Sequence, residues 1–566
     1  MSASSTRQYS VPPSHELRFE LETPTDAISI TLHSGYAEVF GFELVPGATY
    51  GFANEQRGAV WAAGVNGEGA ELEMSPVFPP SQSSSRARIV ARDKGYVQGC
   101  SLRRTGTGKR PFLSSNGCAD LHSSLDIYVT GNIDSVYVAS ESPISTYFNV
   151  HLSLSRLRHL SHPSSFSLTG DLSRPDDEVA PPRVLVVGER GAGKSSLIKM
   201  LTNWRNREAR ATLAKPGAST AGLTVANLDP NDGAWTIPGT VGVVSTSSLL
   251  PTTTPIAPFG TSYSSGPPVP FPPPTSTSTS TSADDPAPYV PPVNLDAYAP
   301  VLNPLVYYYG HLSPTTNEPH YELLCKSVAS AVKRKVDSAG LDGWKSGYLI
   351  DTPGEWAEKK GGGWERVKAA VREFEVNVLL VLGSERLYVE MTKLLNTNKT
   401  VTVVRVPKSD GASDLDLSTL SRIQSSQIRS YFYGGPALTQ GVLSPFSIIV
   451  KFDDVRICRV GEAAGAHAPS SALPLGATRL TRDTELVPID LTGPRASSEV
   501  LNRLLAVPQA EEGDEGEEKV VRGPVGGFVW VSALDQTKKK ITLLSPLPGR
   551  LPRKTLILGS LDWVDS

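Results

Sequence analysis

Cysteine is scarce in this sequence: Cys100, Cys118, Cys325 and Cys458 lie far apart and form no C-x-x-C pair. That spacing excludes a zinc ribbon and a disulfide scaffold, and it suits a reducing compartment, cytosol or nucleus. Long apolar runs are missing too, since nothing approaches the roughly eighteen residues that cross a bilayer. The opening stretch, Met1-Ser-Ala-Ser-Ser-Thr-Arg-Gln-Tyr-Ser10, has no apolar core of the kind a secretory leader carries, so a soluble chain with no membrane partner is expected. Neither sign of charge is in excess: 54 basic against 57 acidic residues leave a net charge of −3. Bulk electrostatics therefore does not select a nucleic-acid partner, and any phosphate-binding surface must be local.

What is present begins with size. A chain of 566 residues that is 39% hydrophobic can fill two to four cores. Its organising stretch is Val184-Leu-Val-Val-Gly188-Glu-Arg-Gly-Ala-Gly193-Lys194-Ser195-Ser196, followed by the apolar-periodic Leu197–Leu201. This reads as strand, phosphate loop and helix. Gly188, Gly193, Lys194 and Ser195 fill the G-x-x-x-x-G-K-[ST] pattern, in which backbone N–H groups curl around an anion at a helix N-terminus. Gly191, Ala192, Gly193, Lys194, Ser195 and Ser196 are the expected phosphate cradle. Lys194 would reach the β- and γ-phosphates, and Ser195 would ligate Mg²⁺.

Upstream of the loop, alternation at Leu17, Phe19, Leu21, then Ile28, Ile30, Leu32, then Val39, Phe42, Leu44 is strand periodicity with short turns. Residues 1–160 are expected to form a small β domain, with polar, basic loops at Ser81–Lys94 and Ser101–Ser115 and a closing helix over Val150–Leu160. A polar linker, 161–182, leads into the phosphate-loop domain, 183–444.

In that domain a second apolar run, Leu223–Asp229, ends in a carboxylate. Asp229 either sits beside the phosphates as the metal-side acid or begins the turn Asp229-Pro-Asn-Asp-Gly233. Residues about 247–297 are so rich in Pro, Ser and Thr that they read as an insertion without a core of its own. Further strands are expected at Leu302–Tyr309, Gly347–Asp351, Val376–Leu382 and Val401–Val406, and helices at Tyr321–Ala339, Trp364–Phe374 and Leu415–Tyr433. Alternating strands and helices around a phosphate loop imply an α/β, doubly wound, largely parallel sheet. Asp351-Thr-Pro-Gly354 resembles the γ-phosphate sensor of GTPases, but no Asn-Lys-x-Asp guanine reader accompanies it: Asn398-Lys399 has no aspartate in the required place. From 445 to 566 short strand patterns return, interrupted by the acidic Glu511–Glu518, which gives a C-terminal β-rich domain.

Several runs resemble one family, the eukaryotic polynucleotide 5′-hydroxyl kinases that double as the ATP-binding subunit of the pre-mRNA cleavage and polyadenylation machinery. They include Glu16-Leu-Arg-Phe-Glu20, Gly35-Tyr-Ala-Glu-Val-Phe-Gly41, Tyr147-Phe-Asn-Val-His151, the phosphate loop, Tyr308-Tyr-Gly310, Ser384-Glu-Arg-Leu-Tyr388, Arg429-Ser-Tyr-Phe-Tyr-Gly434 and Leu473-Pro-Leu-Gly476. The resemblance implies ATP with Mg²⁺ as ligand, and it implies that Glu16 and Arg57 reach the adenine and ribose side of the nucleotide. It implies nuclear residence and partnership with other cleavage-factor subunits, notably the scaffold subunit that binds the tail of RNA polymerase II, with RNA reached through them.

In kinase-active relatives the lid helix carries paired arginines. Here Leu420 and Ser421 stand in their place, with Arg422 nearby. Those relatives also place a tryptophan directly after the glycine of the strand turn to stack on the RNA base, whereas this chain has Glu355 there and Trp356 one residue later. Intact Lys194 and Ser195 with an altered lid imply bound ATP that is structural. The alternative is an active RNA 5′-hydroxyl kinase using Lys194, Asp229 and Arg422.

Overall fold

Along Glu16–Glu20, Ala27–Ser34 and Arg57–Ala62 alternate side chains are apolar and buried at Leu17, Phe19, Ile28, Ile30, Leu32, Val60 and Ala62. A period of two gives a sheet one dry face, and two such faces bury each other as a sandwich. The computed structural model describes residues 5–21, 27–44, 49–53, 57–63, 70–75, 126–130, 136–161, 180–212, 222–250, 259, 304–396, 400–434, 444–461, 483–510 and 516–565. The described residues divide into an N-terminal unit that ends at Ser142, without Phe40–Phe42, and a second unit that begins at Pro143 and takes in Phe40–Phe42. In the first, one sheet has the strand order Ser5–Val11, Ala70–Ser75, Asp126–Thr130, Ala27–Ser34, Thr49–Ala53. The other runs Val136–Ala139, Glu16–Glu20, Arg57–Ala62, Ala37–Val39, Phe42–Glu43. Phe19 of the second meets Phe52 of the first edge-on, ring centres 4.9 Å apart. The basic loops at 81–94 and 101–115 lie outside the described residues.

The second unit opens with the helix Ile144–Leu160, six residues earlier than its apolar pattern suggested, because Ser142-Pro143 supplies its entry. Next comes a seven-stranded sheet in the order Leu305–Tyr308, Thr240–Thr246, Leu223–Asn227, Tyr348–Asp351, Arg183–Gly188, Val378–Leu382, Thr402–Val406. The last five run parallel, as the alternation implied, while the pairs of Thr240–Thr246 with Leu223–Asn227 and with Leu305–Tyr308 are antiparallel. Thr240–Thr246 was not foreseen. The linker between 162 and 179 and the insertion at 251–258 and 260–303 lie outside the described residues.

Helices Glu318–Ser338, Gly363–Glu373 and Glu385–Leu395 cover one face of this sheet. There Leu185, Val187, Ile350, Leu379 and Val381 pack with Tyr321, Val328, Val332, Val367, Phe374 and Met391. The helix Glu318–Ser338 starts three residues before its periodic pattern because Asn317 caps it, its side-chain oxygen accepting the His320 N–H at 3.2 Å.

A second seven-stranded sheet closes the chain: Phe446–Lys451, Lys540–Ser545, Val525–Asp535, Arg503–Pro508, Thr555–Asp562, Arg456–Val460, Leu486–Pro488. Arg503–Pro508 and Leu486–Pro488 are additions to the strands read from sequence. The sheet is tied to the central one by aromatic contacts. Tyr431 Oη accepts the Phe528 N–H at 2.9 Å, and Phe432 stacks on Trp563 with ring centres 5.8 Å apart.

Candidate functional site

Parallel registry sets the site. Val186 and Asn227 both pair with Asp351, so the ends of three neighbouring strands fall level, and the phosphate loop leaves one of them. Gly191 and Gly193 take φ values of 65° and 90°, the left-handed region that a side chain disfavours. A second constraint acts on the same glycines. A Cβ on Gly191 would stand 2.6 Å from the backbone of Asp414, and one on Gly193 would stand 3.4 Å from the Ala412 Cβ. The segment leading to the helix Leu417–Tyr433 therefore lies directly across the loop, and Arg190 pairs with Asp414 at 3.2 Å.

Lys194, Ser195 and three carboxylates converge beneath. Lys194 is 8% exposed and donates from Nζ to the Glu189 carbonyl at 3.1 Å. Ser195 donates its hydroxyl to Asp351 Oδ2 at 2.6 Å, with Asp232 Oδ2 3.2 Å away. Asp351, 1% exposed, also accepts from Asn227 Nδ2 at 3.3 Å and from the Thr352 N–H at 3.0 Å. Asp229 does begin its turn, accepting the Asn231 N–H at 2.9 Å, and it also adds its charge to the cluster. The turn reading of that residue holds.

Burial raises all three carboxyls. Asp351 is pushed up to about 6, with the Asp232 charge adding to the rise and Lys194 opposing it. Asp229 rises well above the carboxylate range through burial and Asp232, and Asp232 rises through burial against the pull of Lys194 and Ser195. Three acids around one ammonium are short of positive charge, which is the donor chemistry that suits a divalent cation. Among the described residues no group of three or more His, Cys, Asp or Glu is arranged to hold a metal alone. Mg²⁺ would therefore need phosphate oxygens beside the Ser195 hydroxyl and one of these carboxylates, its usual mode in phosphate-loop proteins.

The raised Asp351 pKa gives a signed prediction. From an ordinary value of 3.8 to about 6, the folded protein keeps a proton that the unfolded chain has lost, so nucleotide-free stability falls as pH rises through that window. Asp351→Asn removes this penalty. In nucleotide-free protein it should raise stability by on the order of 2 kcal/mol more near pH 7.5 than near pH 4.5, read from urea midpoints. An equal effect at both pH values contradicts the assignment.

The helix Leu417–Tyr433 docks on this cluster through neutral amides. Gln424 Nε2 donates to the Asn231 carbonyl and to Asn231 Oδ1, both at 3.0 Å, and Gln427 Nε2 donates to the carbonyls of Asp232 and Gly233, both at 2.9 Å. Arg422 is exposed and donates to Thr419 Oγ1, 3.1 Å away on its own helix. Arg429 pairs with Asp565 at 3.2 Å. Trp356 is 1% exposed inside the core and meets Tyr321 edge-on, while Glu355 takes the outward position and accepts from Ser313 at 3.1 Å.

Glu16 and Arg57 lie in the N-terminal unit. Glu16, 1% exposed, pairs with Arg18 at 2.8 Å and accepts the Ser142 hydroxyl at 2.5 Å, and Arg57 pairs with Glu20. Asp232, Gln424 and Gln427 were not read from sequence as parts of the site, and Asp351 was noted only for its likeness to a γ-phosphate sensor. Asp351, like Asp229, is an acid at the end of a strand neighbouring the loop.

Comparison with known proteins gives three family matches in chain order: the N-terminal beta-sandwich domain of polyadenylation factor over residues 10–91, the mRNA cleavage and polyadenylation factor CLP1 P-loop over 286–434, and pre-mRNA cleavage complex II protein Clp1 over 443–565. The second lies downstream of the loop itself. The chain is 30% identical to mRNA cleavage and polyadenylation factor CLP1 of Laccaria bicolor, covering 98% of each chain, and 29% identical to Protein CLP1 homolog of Aedes aegypti, covering 99% and 97%. Among solved structures it resembles wild-type Clp1p in complex with Pcf11p, with a TM-score of 0.65 and 21% identity over 100% of this chain and 99% of that one. A second Clp1p–Pcf11p structure, concerned with the loss of ATP in a point mutant, matches at a TM-score of 0.66 and 20% identity, covering 100% of both chains.

Proposed function

The chain belongs to the CLP1 family of mRNA cleavage and polyadenylation factors, and we propose that it is the ATP-binding subunit of a pre-mRNA 3′-end cleavage and polyadenylation factor, holding its nucleotide as a fixed part of the fold. The relatives' names support the process, and the complex of Clp1p with Pcf11p supports a partner of the same kind, a scaffold subunit of that factor. The nucleus is the compartment this proposed role implies.

One observation carries the structural role of the nucleotide. The helix that bears positive charge in active kinases is fastened by Gln424 and Gln427 to the backbone of residues 231–233, with Arg422 turned to Thr419. Phosphoryl transfer depends on cationic groups that close on the γ-phosphate as charge develops, and each such contact contributes about 3 kcal/mol to the rate. Binding depends on the loop amides, Lys194 and Ser195, which are all in place.

A second reading, RNA 5′-hydroxyl kinase, is favoured by Asp351, whose carboxyl at about 6 is poised for proton transfer near neutrality. Purified protein incubated with γ-labelled ATP and a 5′-hydroxyl RNA oligonucleotide separates the two. We expect ATP to be retained through purification and no label to reach the RNA. Label transfer that disappears in both Lys194→Ala and Arg422→Ala overturns the structural reading in favour of the kinase.

A further inference from the structure

After the strand Leu223–Asn227, the turn Asp229-Pro-Asn-Asp-Gly233 carries a further carboxylate, Asp232, to the phosphate loop. The turn is tightly built. Gly233 takes a φ of 53°, and a Cβ there would stand 2.3 Å from the Ile237 backbone, so glycine alone lets the chain double back at this point. Behind it, Gln427 Nε2 donates to the carbonyls of Asp232 and Gly233. The backbone under Asp232 is therefore held on two sides, and its side chain meets Ser195.

Three oxygens come together there. Ser195 Oγ lies 2.6 Å from Asp351 Oδ2 and 3.2 Å from Asp232 Oδ2, and its single hydroxyl proton serves one of them at a time. Asp351 has further donors in Asn227 Nδ2 and the Thr352 N–H, and Asp229 has the Asn231 N–H. Among the described residues the Asp232 carboxylate has the shared hydroxyl alone. The nearby cations do not make up the difference. Lys194 is divided among all three acids, and Arg190, which also acts on Asp232, is paired with Asp414 at 3.2 Å.

A triphosphate that enters this space without a cation brings like charge to like charge. We infer that Asp232 decides which form of the nucleotide this site accepts: triphosphate and divalent cation bind together, and the metal-free triphosphate is rejected. The inference rests on the nucleotide reading above and adds the residue that sets its selectivity. Asp232 is the acid best placed for that task. It is partly exposed, so solvent ions and phosphate reach it, whereas Asp351 is 1% exposed and already served by its own donors. A hard divalent ion accepts a hydroxyl and a carboxylate oxygen beside phosphate oxygens, and its charge reverses the sign of the local field. Repulsion between two unit charges about 6 Å apart, at an effective dielectric constant of about 20, corresponds to about a hundredfold in affinity.

Dialysis of the full chain against a chelator should strip bound ATP, and isothermal titration then measures ATP binding twice, with excess Mg²⁺ and with chelator alone. The wild-type protein should prefer the Mg²⁺ form by on the order of a hundredfold. In Asp232→Asn that preference should shrink at least about tenfold, with metal-free ATP binding more tightly than it does to the wild type. Asp337→Asn removes the same charge from an exposed position in the last turn of the helix Glu318–Ser338 and should leave the preference unchanged. A thermal melt of each variant verifies folding, and the wild-type comparison stands whether or not a variant folds. Equal affinity of the wild type for the two forms, or the same preference in Asp232→Asn as in the wild type, overturns the inference while leaving the nucleotide reading intact. Failure of the wild type to bind ATP in either form overturns both.

Discussion

Lys194→Ala should leave purification without nucleotide, with affinity for ATP lowered by about two orders of magnitude. Two effects add. Removing the ammonium takes a charge-assisted contact from the phosphates, a change that costs about 2–5 kcal/mol when the partners are desolvated. It also takes from Asp229, Asp232 and Asp351 the ammonium that opposes their mutual repulsion, leaving Arg190 to act on Asp232. Bound nucleotide at about a thousand times its dissociation constant stabilises the fold by about 4 kcal/mol, and a hundredfold loss of affinity removes most of that.

The two effects separate with pH. The nucleotide-dependent rise in melting temperature should fall to about a third of the wild-type rise at every pH. The extra instability of the nucleotide-free variant should shrink below about pH 5, where the acids take up protons. Isothermal titration and melting curves at two pH values read both effects, and wild-type affinity in the variant would refute the assignment of the phosphate site.

Trp356→Ala should destabilise the protein by about 3–5 kcal/mol, the usual consequence of emptying a large core position. Although the indole stands one residue from the place where active kinases stack an RNA base, it is buried among Tyr321, Val367 and their neighbours, with its Nε1 lacking a hydrogen-bond partner among the described residues. Trp356→Phe keeps most of the apolar contact and should lose much less. Urea midpoints measure both. A normal midpoint in Trp356→Ala accompanied by weakened RNA binding would place the indole at the surface after all.

The one-residue shift matters because the 3₁₀ turn Gly354–Ala357 sends adjacent side chains in different directions, inward at 356 and outward at 355. Glu355 therefore occupies the outer position with a carboxylate that burial has raised above its ordinary range.

These cases also mark what could be read from residues alone. The phosphate loop was legible because its chemistry is contiguous: glycines, lysine and serine follow one strand and open one helix. The N-terminal sandwich was legible because its alternation is strict. Thr240–Thr246 was not, because Thr-Val-Gly-Val-Val-Ser-Thr precedes a Pro/Ser/Thr-rich stretch and pairs antiparallel where the surrounding pattern led us to expect strand and helix in turn. Arg503–Pro508 escaped notice because its Leu-Leu-Ala-Val centre is short and shows no alternation, being buried on both sides. Gln424 and Gln427 gave no signal either. Their role is to donate to carbonyls about 195 residues earlier in the chain, which no local pattern records.

The antiparallel pair that flanks the parallel strands has a further consequence. Val243 lies opposite Leu305 and Thr240 opposite Tyr308, so the chain departs beyond Thr246 and comes back at Leu305 on the same rim of the sheet. Leu250 and Phe259, between those two points, are fully buried, Phe259 against Trp235. A flexible connection with both ends on one rim can change length at about 0.6 kcal/mol per doubling without moving a strand of the sheet. Natural variation in this lineage should accumulate at that connection, while the opposite rim, where Asp351 and the loop meet, stays fixed in length.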